Sequence, residues 1–223
     1  MKKMIISLIS LSIGISATAF DLKDYNFDYD ITSLQLDLEV PKVVMELPAA
    51  KNASEVVDHF KYFPIFKKIR YEYEYESTDF TGKKKIIVEF NGYSEKDSVT
   101  TAIVTYYNKK DIKTIEFPIR LLEKGIYSRD IILGIERFEI PIPLFKDKRW
   151  SENGNENRVI GFSSRVQTSN NVYENCLKIL THLKSSEFNK IERYYAPGIG
   201  LVKEVIKSED KTDIITLVNF LEK

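Results

Sequence analysis

The run Arg70-Tyr-Glu-Tyr-Glu-Tyr-Glu76 alternates without a break, and it constrains the fold more than any other stretch of this chain. A period of two places Tyr71, Tyr73 and Tyr75 on one face of a strand and Glu72, Glu74 and Glu76 on the other. A helix, repeating every ~3.6 residues, would mix the two sets. One face is therefore buried and the other solvated. The tyrosine face is read as an aromatic core face, with an aromatic platform for a ligand as the functional alternative.

The same period recurs from Phe66 onward. Residues 83–90 return after Thr81-Gly82 with Ile86, Val88 and Phe90 on one face, and Asn91-Gly92 is the strongest short hairpin signal. Residues 99–107 and 112–121 follow as strands joined by a polar tip, and Gly125 turns the chain before Ile126-Tyr127. Ile140-Pro-Ile-Pro-Leu-Phe145 lacks two ladder donors and reads as an extended crossing loop. It leads to Trp150, read as a core plug with its N–H satisfied or as a gate to a pocket.

Residues 151–157 read as a polar loop around Asn153-Gly154, and residues 158–168 as a strand. Residues 174–183 come next, with Leu177, Ile179, Thr181 and Leu183 as the core face. Two strands around Tyr194-Tyr195 and residues 201–206 are joined at Pro197-Gly198, where proline pre-sets φ and glycine takes the positive φ of a type II turn. Gly200 suggests a bulge or a close backbone approach. Residues 214–221 close the chain. Some nine to eleven strands at a spacing of about 8–12 residues predict an all-β antiparallel sandwich or barrel.

One short helix is expected over 54–60, with Asn52 or Ser54 as its cap, Glu55 and Asp58 at its positive end, and Pro64 ending it. Before it, Met1-Lys-Lys-Met4, an apolar run over 5–15 and Ser16-Ala-Thr-Ala19 are the three parts of a secretory signal peptide. The apolar run is too short to span a bilayer, which takes roughly 20 apolar residues. The expected organisation is a signal peptide over 1–19, an N-terminal arm with the short helix over 20–60, and the antiparallel β domain over 61–223. Within the arm, Leu34-Gln-Leu-Asp-Leu-Glu-Val40 alternates like an edge strand. The expected location is the periplasm or the extracellular space, with no transmembrane segment left after cleavage.

Lys plus Arg equals Asp plus Glu, at 33 each, so the strongly basic footprint of a nucleic-acid binder is absent. Cys176 is the only cysteine, which excludes an intrachain disulfide, and it reads as an inert buried thiol. His59 and His182 fall on unrelated elements, and no metal-ligand spacing, phosphate-binding loop or nucleophile elbow appears. No catalytic residue, metal ligand or cofactor is assigned, and the chain is expected not to be an enzyme. The candidate ligand-binding residues are Tyr71, Tyr73, Tyr75, Trp150, Tyr194 and Tyr195.

The segment from Trp150 to Lys203 also resembles a known family. Trp150, Asn175-Cys176-Leu177 and the closing Tyr194-Tyr-Ala-Pro-Gly-Ile-Gly-Leu-Val-Lys203 are similar to a motif of exported bacterial proteins of unknown function, the TapB-type and related domains with a LolA-like fold. Tyr62-Phe63-Pro64 followed by Tyr71-Glu-Tyr-Glu-Tyr75 matches the way such proteins open. The chain departs from the pattern at Lys67-Lys68-Ile69-Arg70 and at the turn over 168–172. The resemblance implies a strongly curved antiparallel sheet, a half-barrel, whose concave face holds a lipid or other hydrophobic small molecule. The alternative is a non-catalytic interaction or structural module that pairs with an envelope protein through sheet edges or the N-terminal arm.

Overall fold

The computed structural model describes residues 55–108, 111–184 and 189–223. The expected signal peptide, most of the expected arm and the alternating run at Leu34 lie outside the described residues.

Twelve strands form one antiparallel sheet: β1 (Ile69–Ser77), β2 (Lys84–Ser94), β3 (Val99–Tyr107), β4 (Ile112–Leu122), β5 (Gly125–Arg129), β6 (Glu136–Pro141), β7 (Arg149–Glu152), β8 (Asn155–Gln167), β9 (Val172–His182), β10 (Lys190–Ala196), β11 (Gly200–Lys207) and β12 (Thr212–Glu222). Their order is β6-β5-β4-β3-β2-β1-β12-β11-β10-β9-β8-β7. Every neighbour in the sheet is a neighbour in the chain, except that β1 pairs with β12 at the centre. The two edges, β6 and β7, are consecutive in sequence. A twisted sheet of this many strands curls, and here the curl brings the edges together. The backbone N–H of Phe138 on β6 donates to the Glu152 carboxylate of β7 at 2.9 Å. The expected curved antiparallel sheet is present, and it goes beyond a half-barrel to a nearly closed barrel.

The end of β7 and the start of β8 lie where a polar loop was expected over 151–157. Asn153 (φ 53°) and Gly154 (φ 80°) form a two-residue hairpin turn of the primed kind between β7 and β8. The other Asn-Gly pair behaves differently. Gly92 (φ 103°) lies inside β2, at a bulge where the register with β3 shifts between Phe90 and Tyr93. Pairing of Tyr93 and Ser94 with Thr100 and Val99 carries the strand past the expected turn.

The helix signal over 54–60 shrinks to a single 3-10 turn, His59–Lys61, capped by Asp58, whose side chain accepts the Phe60 N–H at 2.9 Å. Val57 forms a β-bridge with Leu144 instead, its N–H reaching the Leu144 carbonyl at 2.8 Å. A residue held in that bridge has left the helical conformation, so tertiary pairing overrides the local signal.

The alternation of β1 is realised as read. Tyr71, Tyr73 and Tyr75 are each under 5% exposed. On the outer face, Lys83 reaches Glu74 at 2.6 Å and Glu76 at 3.0 Å, and Lys85 reaches Glu72 at 3.2 Å. The β10–β11 turn is type II: the Ile199 N–H returns to the Ala196 carbonyl at 3.2 Å, with Gly198 at φ 75°. The Gly198 N–H in turn donates to the Lys61 carbonyl at 2.6 Å, docking the turn on the 3-10 segment. Gly200 (φ 104°) is a point of close approach, since a Cβ there would lie 3.3 Å from the Tyr71 hydroxyl and 3.5 Å from Pro64.

Candidate functional site

β5 and β6 differ from the rest of the sheet. Arg137 to Pro141 are all buried, so β6 is covered on both faces. Arg137 and Glu139, two residues apart on one of those faces, meet the inward side chains of β10 and β11. The Arg137 guanidinium donates to Glu139 at 2.9 Å and to Glu204 at 2.9 Å, and it also contacts the Asp130 carboxylate. Asp130 accepts the backbone N–H groups of Ile132 and Leu133 at 2.7 Å each, which fixes it at the end of the β5–β6 turn. On β10, Arg193 donates to Thr181 at 2.9 Å and lies 3.5 Å from Glu139, and the Tyr195 hydroxyl donates to that same Glu139 carboxylate. Thr181 continues to Asn157 at 2.6 Å. The cluster ties β6 to β9, β10 and β11 across the barrel.

With Glu152 at the seam, this interior holds two guanidiniums and four carboxyl groups. Full ionisation would leave two uncompensated negative charges in a region from which water is excluded, which is expensive. Two of the four respond. Burial pushes the Glu204 carboxyl up to about 8 against the pull of Arg137. Burial likewise pushes Glu152 up to about 7, although the Phe138 N–H and the two arginines favour its charged form. Asp130 goes the other way: burial opposes its charge, yet Arg137 and the two backbone N–H groups hold it below the usual carboxylate range. Raised in this way, the Glu204 and Glu152 carboxyls lessen the excess negative charge of the cluster.

Beside the cluster is a cavity of about 50 Å³, with Tyr71, Tyr73, Phe90 and Phe117 on its apolar side and Arg137 and Glu204 on its polar side. Arg137 also lines a second cavity of about 20 Å³ with Glu152 and Thr181. The first has room for a few waters at about 10–15 Å³ each. Pockets for drug-sized ligands run to roughly 300–1,000 Å³.

The six residues singled out from sequence are distributed unevenly around this site. Tyr71 and Tyr73 wall the cavity, but their hydroxyls donate to the Ile199 and Leu201 carbonyls at 2.7 and 2.9 Å. Tyr75 donates to Asp213 at 2.8 Å. Tyr195 belongs to the charged cluster. Tyr194 is half-buried on the opposite face of β10, its hydroxyl on Glu192 at 2.8 Å and the Lys178 ammonium 5.1 Å from its ring. Trp150 is 3% exposed, but its indole N–H has no partner among the described residues, contrary to the expected satisfied plug. Cys176 is buried, and burial pushes its thiol up to about 11, well away from a reactive thiolate.

The residues that organise the interior, Arg137, Glu139, Arg193 and Glu204, were not singled out from sequence. A signal was present for two of them. Arg193 shares its parity with Ile191 and Tyr195, and Glu204 with Val202 and Ile206, so each is a charge on an apolar face. Their partners came from β5 and β6, brought over by the curl of the sheet, which no spacing along the chain reveals.

No family model and no curated protein matches the chain. It is similar to two crystal structures of bacterial proteins. One, from Bacteroides fragilis, is assigned as an exported protein with a YmcC-like fold, at 11% identity and a TM-score of 0.47, covering 70% of this chain and 96% of the other. The second, from Parabacteroides distasonis, is assigned as a lipoprotein, at 12% identity and a TM-score of 0.47, covering 74% of this chain and 100% of the other.

Proposed function

We propose that this protein is an exported, non-catalytic module of the cell envelope that works through its surface, with the barrel interior serving as a packed support. The observation that carries this reading is the filled interior. A cavity of about 50 Å³ is several-fold too small for a lipid, and its tyrosine hydroxyls are already engaged. Export rests on the three-part N-terminal signal. Two measurements on protein isolated from its host test the reading. N-terminal sequencing should find Phe20 as the first residue, and native mass spectrometry should find the mature chain without a bound lipid. A stoichiometric lipid adduct, or an intact residue 1, sinks the respective half of it.

One observation favours a carrier as the second reading. Among the described residues the seam between β6 and β7 carries no ladder of backbone hydrogen bonds; side chains close it, chiefly Glu152 on the Phe138 N–H. A barrel closed in this way can part at the seam to admit an apolar molecule against Tyr71 and Tyr73. Cysteines placed at positions 138 and 152 of a Cys176→Ser background would lock the seam. Loss of lipid uptake on oxidation supports the carrier, and unchanged uptake removes it.

A further inference from the structure

The chain carries no formal net charge, yet its charges are not spread evenly around the barrel. On β7 to β11 the outward positions are those that fall between buried ones. Arg149, Arg158, Lys178, Lys190, Lys203 and Lys207 occupy six of them, against the carboxylates of Glu156 and Glu192. Asp147, just before β7, adds a carboxylate that pairs with Arg158 at 2.5 Å. The outer face of β1 and β2 is the contrast. There Glu72, Glu74, Glu76 and Glu89 are each matched by Lys85, Lys83, Arg70 or Lys223. A basic face on an otherwise neutral protein makes a local positive field.

Strand register sharpens the imbalance. Arg149 stands directly opposite Arg158 on the β7–β8 ladder, and Lys190 directly opposite Lys207 on the β10–β11 ladder. Like charges set opposite one another across a ladder are destabilising, so this face holds two unfavourable pairs. The carboxylates nearby are too few to compensate. Glu192 serves both Lys178 at 2.9 Å and Lys190 at 3.2 Å, and Asp147 serves Arg158. Arg149, Lys203 and Lys207 form no ion pair among the described residues. Between Lys178 and Lys203, in one row across the sheet, lies the half-buried ring of Tyr194, 5.1 Å from the Lys178 ammonium.

We propose that the outer face of β7 to β11 binds an acidic polysaccharide, its anionic groups on the unpaired cations and a sugar ring against Tyr194. The proposal rests on the reading that this protein works through its surface, and it names the face and the partner. Neighbouring strands lie about 4.8 Å apart, so the cations are spread over about 20 Å, too far for one small anion to reach. A linear polymer of repeating negative charge spans them. An anionic bilayer fits less well. Among the described residues these strands expose one large apolar side chain, Val172 at the far end of β9, to anchor in it. A flat surface also meets a convex barrel only along a narrow line.

The mature protein is titrated with polygalacturonate, with uncharged dextran of similar length, with single-stranded DNA and with phosphatidylglycerol vesicles. Saturable binding of polygalacturonate, weakened by added salt and absent for dextran, is expected. The double variant Arg149→Gln, Lys207→Gln should bind about tenfold more weakly. Its melting temperature should be unchanged or higher, because each substitution relieves a like-charge pair, whereas a merely structural role predicts a lower one. Lys83→Ala, which removes one charge from the balanced face of β1 and β2, should leave binding unchanged. No saturable binding of polygalacturonate by the wild-type protein overturns the proposal, as does an unchanged affinity in the double variant. Tighter binding of the DNA or of the vesicles overturns it too and gives the face to that partner. None of these outcomes bears on the mature N-terminus or the lipid-free mass, which test the surface reading separately.

Discussion

The tyrosines of β1 and the arginines of β6 and β10 are equally deep in the same barrel, but they are held by different physics. Tyr71, Tyr73 and Tyr75 bury large apolar rings and need one acceptor each, which neighbouring carbonyls and Asp213 supply. Each tyrosine is close to self-sufficient. Arg137 and Arg193 are stable in the interior only because Asp130 of the β5–β6 turn, Glu139 of β6, Tyr195 of β10 and Glu204 of β11 meet around them. The tyrosine wall is expected to be closer to additive, with the Tyr71–Tyr73 ring contact at 5.9 Å as its one internal coupling. The charged cluster stands or falls as a unit, and it specifies how β6 sits against β10 and β11.

The sharpest break of that comparison is Arg137→Met, which removes the cation from Asp130 and Glu204 and leaves Glu139 with Arg193 alone. The expected loss is about 3–5 kcal/mol in urea unfolding, the usual result of removing one partner of a buried ion pair. A loss under about 1 kcal/mol would show that the cluster tolerates dismemberment and is no more cooperative than the wall.

The next effect is on pH. Glu204 and Glu152 have folded pKa values of about 8 and about 7, above the ordinary 4.5. Between 4.5 and those values the folded chain binds protons that the unfolded chain releases, so stability falls as pH rises. Their contribution is fully present below 4.5 and is lost as pH passes through 7 and then 8. Each group accounts for at most about 1.4 kcal/mol per pH unit in its window. Melting between about pH 5 and pH 8 should show this decline, and Glu204→Gln should make it shallower, leaving the share of Glu152. The tyrosine wall has no group that titrates there, so Tyr73→Phe should leave the slope unchanged. An equally steep slope in Glu204→Gln would assign the decline to other groups.

Tyr73→Phe itself should be milder. It removes the hydroxyl from the Leu201 carbonyl and retains the ring, for a loss of about 1 kcal/mol by thermal or urea melting. A loss as large as that of Arg137→Met would mean that the wall is also a cooperative unit. The smallest effect belongs to the outer face of the same strand. Lys83→Ala breaks exposed pairs with Glu74 and Glu76 and should leave the melting temperature within experimental scatter, because surface pairs contribute little.

The same contrast explains what could be read in advance. Strict alternation in β1 is a local property, and its burial pattern follows directly from the pleat. The type II turn at Pro197-Gly198 was legible for a similar reason, since two residues carry its whole geometry. The two Asn-Gly pairs show where such reading stops. Both have the chemistry of a tight turn, yet only Asn153-Gly154 reverses the chain. At Asn91-Gly92 the continued pairing of Tyr93 and Ser94 on β3 converts the same dipeptide into a bulge. The short helix failed likewise, overridden by the bridge from Val57 to Leu144, a partner far along the chain.

By itself, then, the sequence determined the class of fold and the inward sets of β1, β2 and β9, because side-chain parity is a property of a single strand. It also carried the mark of the cluster, a charge at an apolar parity in Arg193 and Glu204. Tertiary structure alone decided that the sheet curls until β6 meets β7. It also decided that Arg137, Glu139 and Asp130 arrive to neutralise those charges, and that the cavity beside them shrinks to about 50 Å³. Twist accumulates over twelve strands, and a buried charge is tolerated only when its partners are present. Neither condition is local, so neither can be written in any one stretch of the chain.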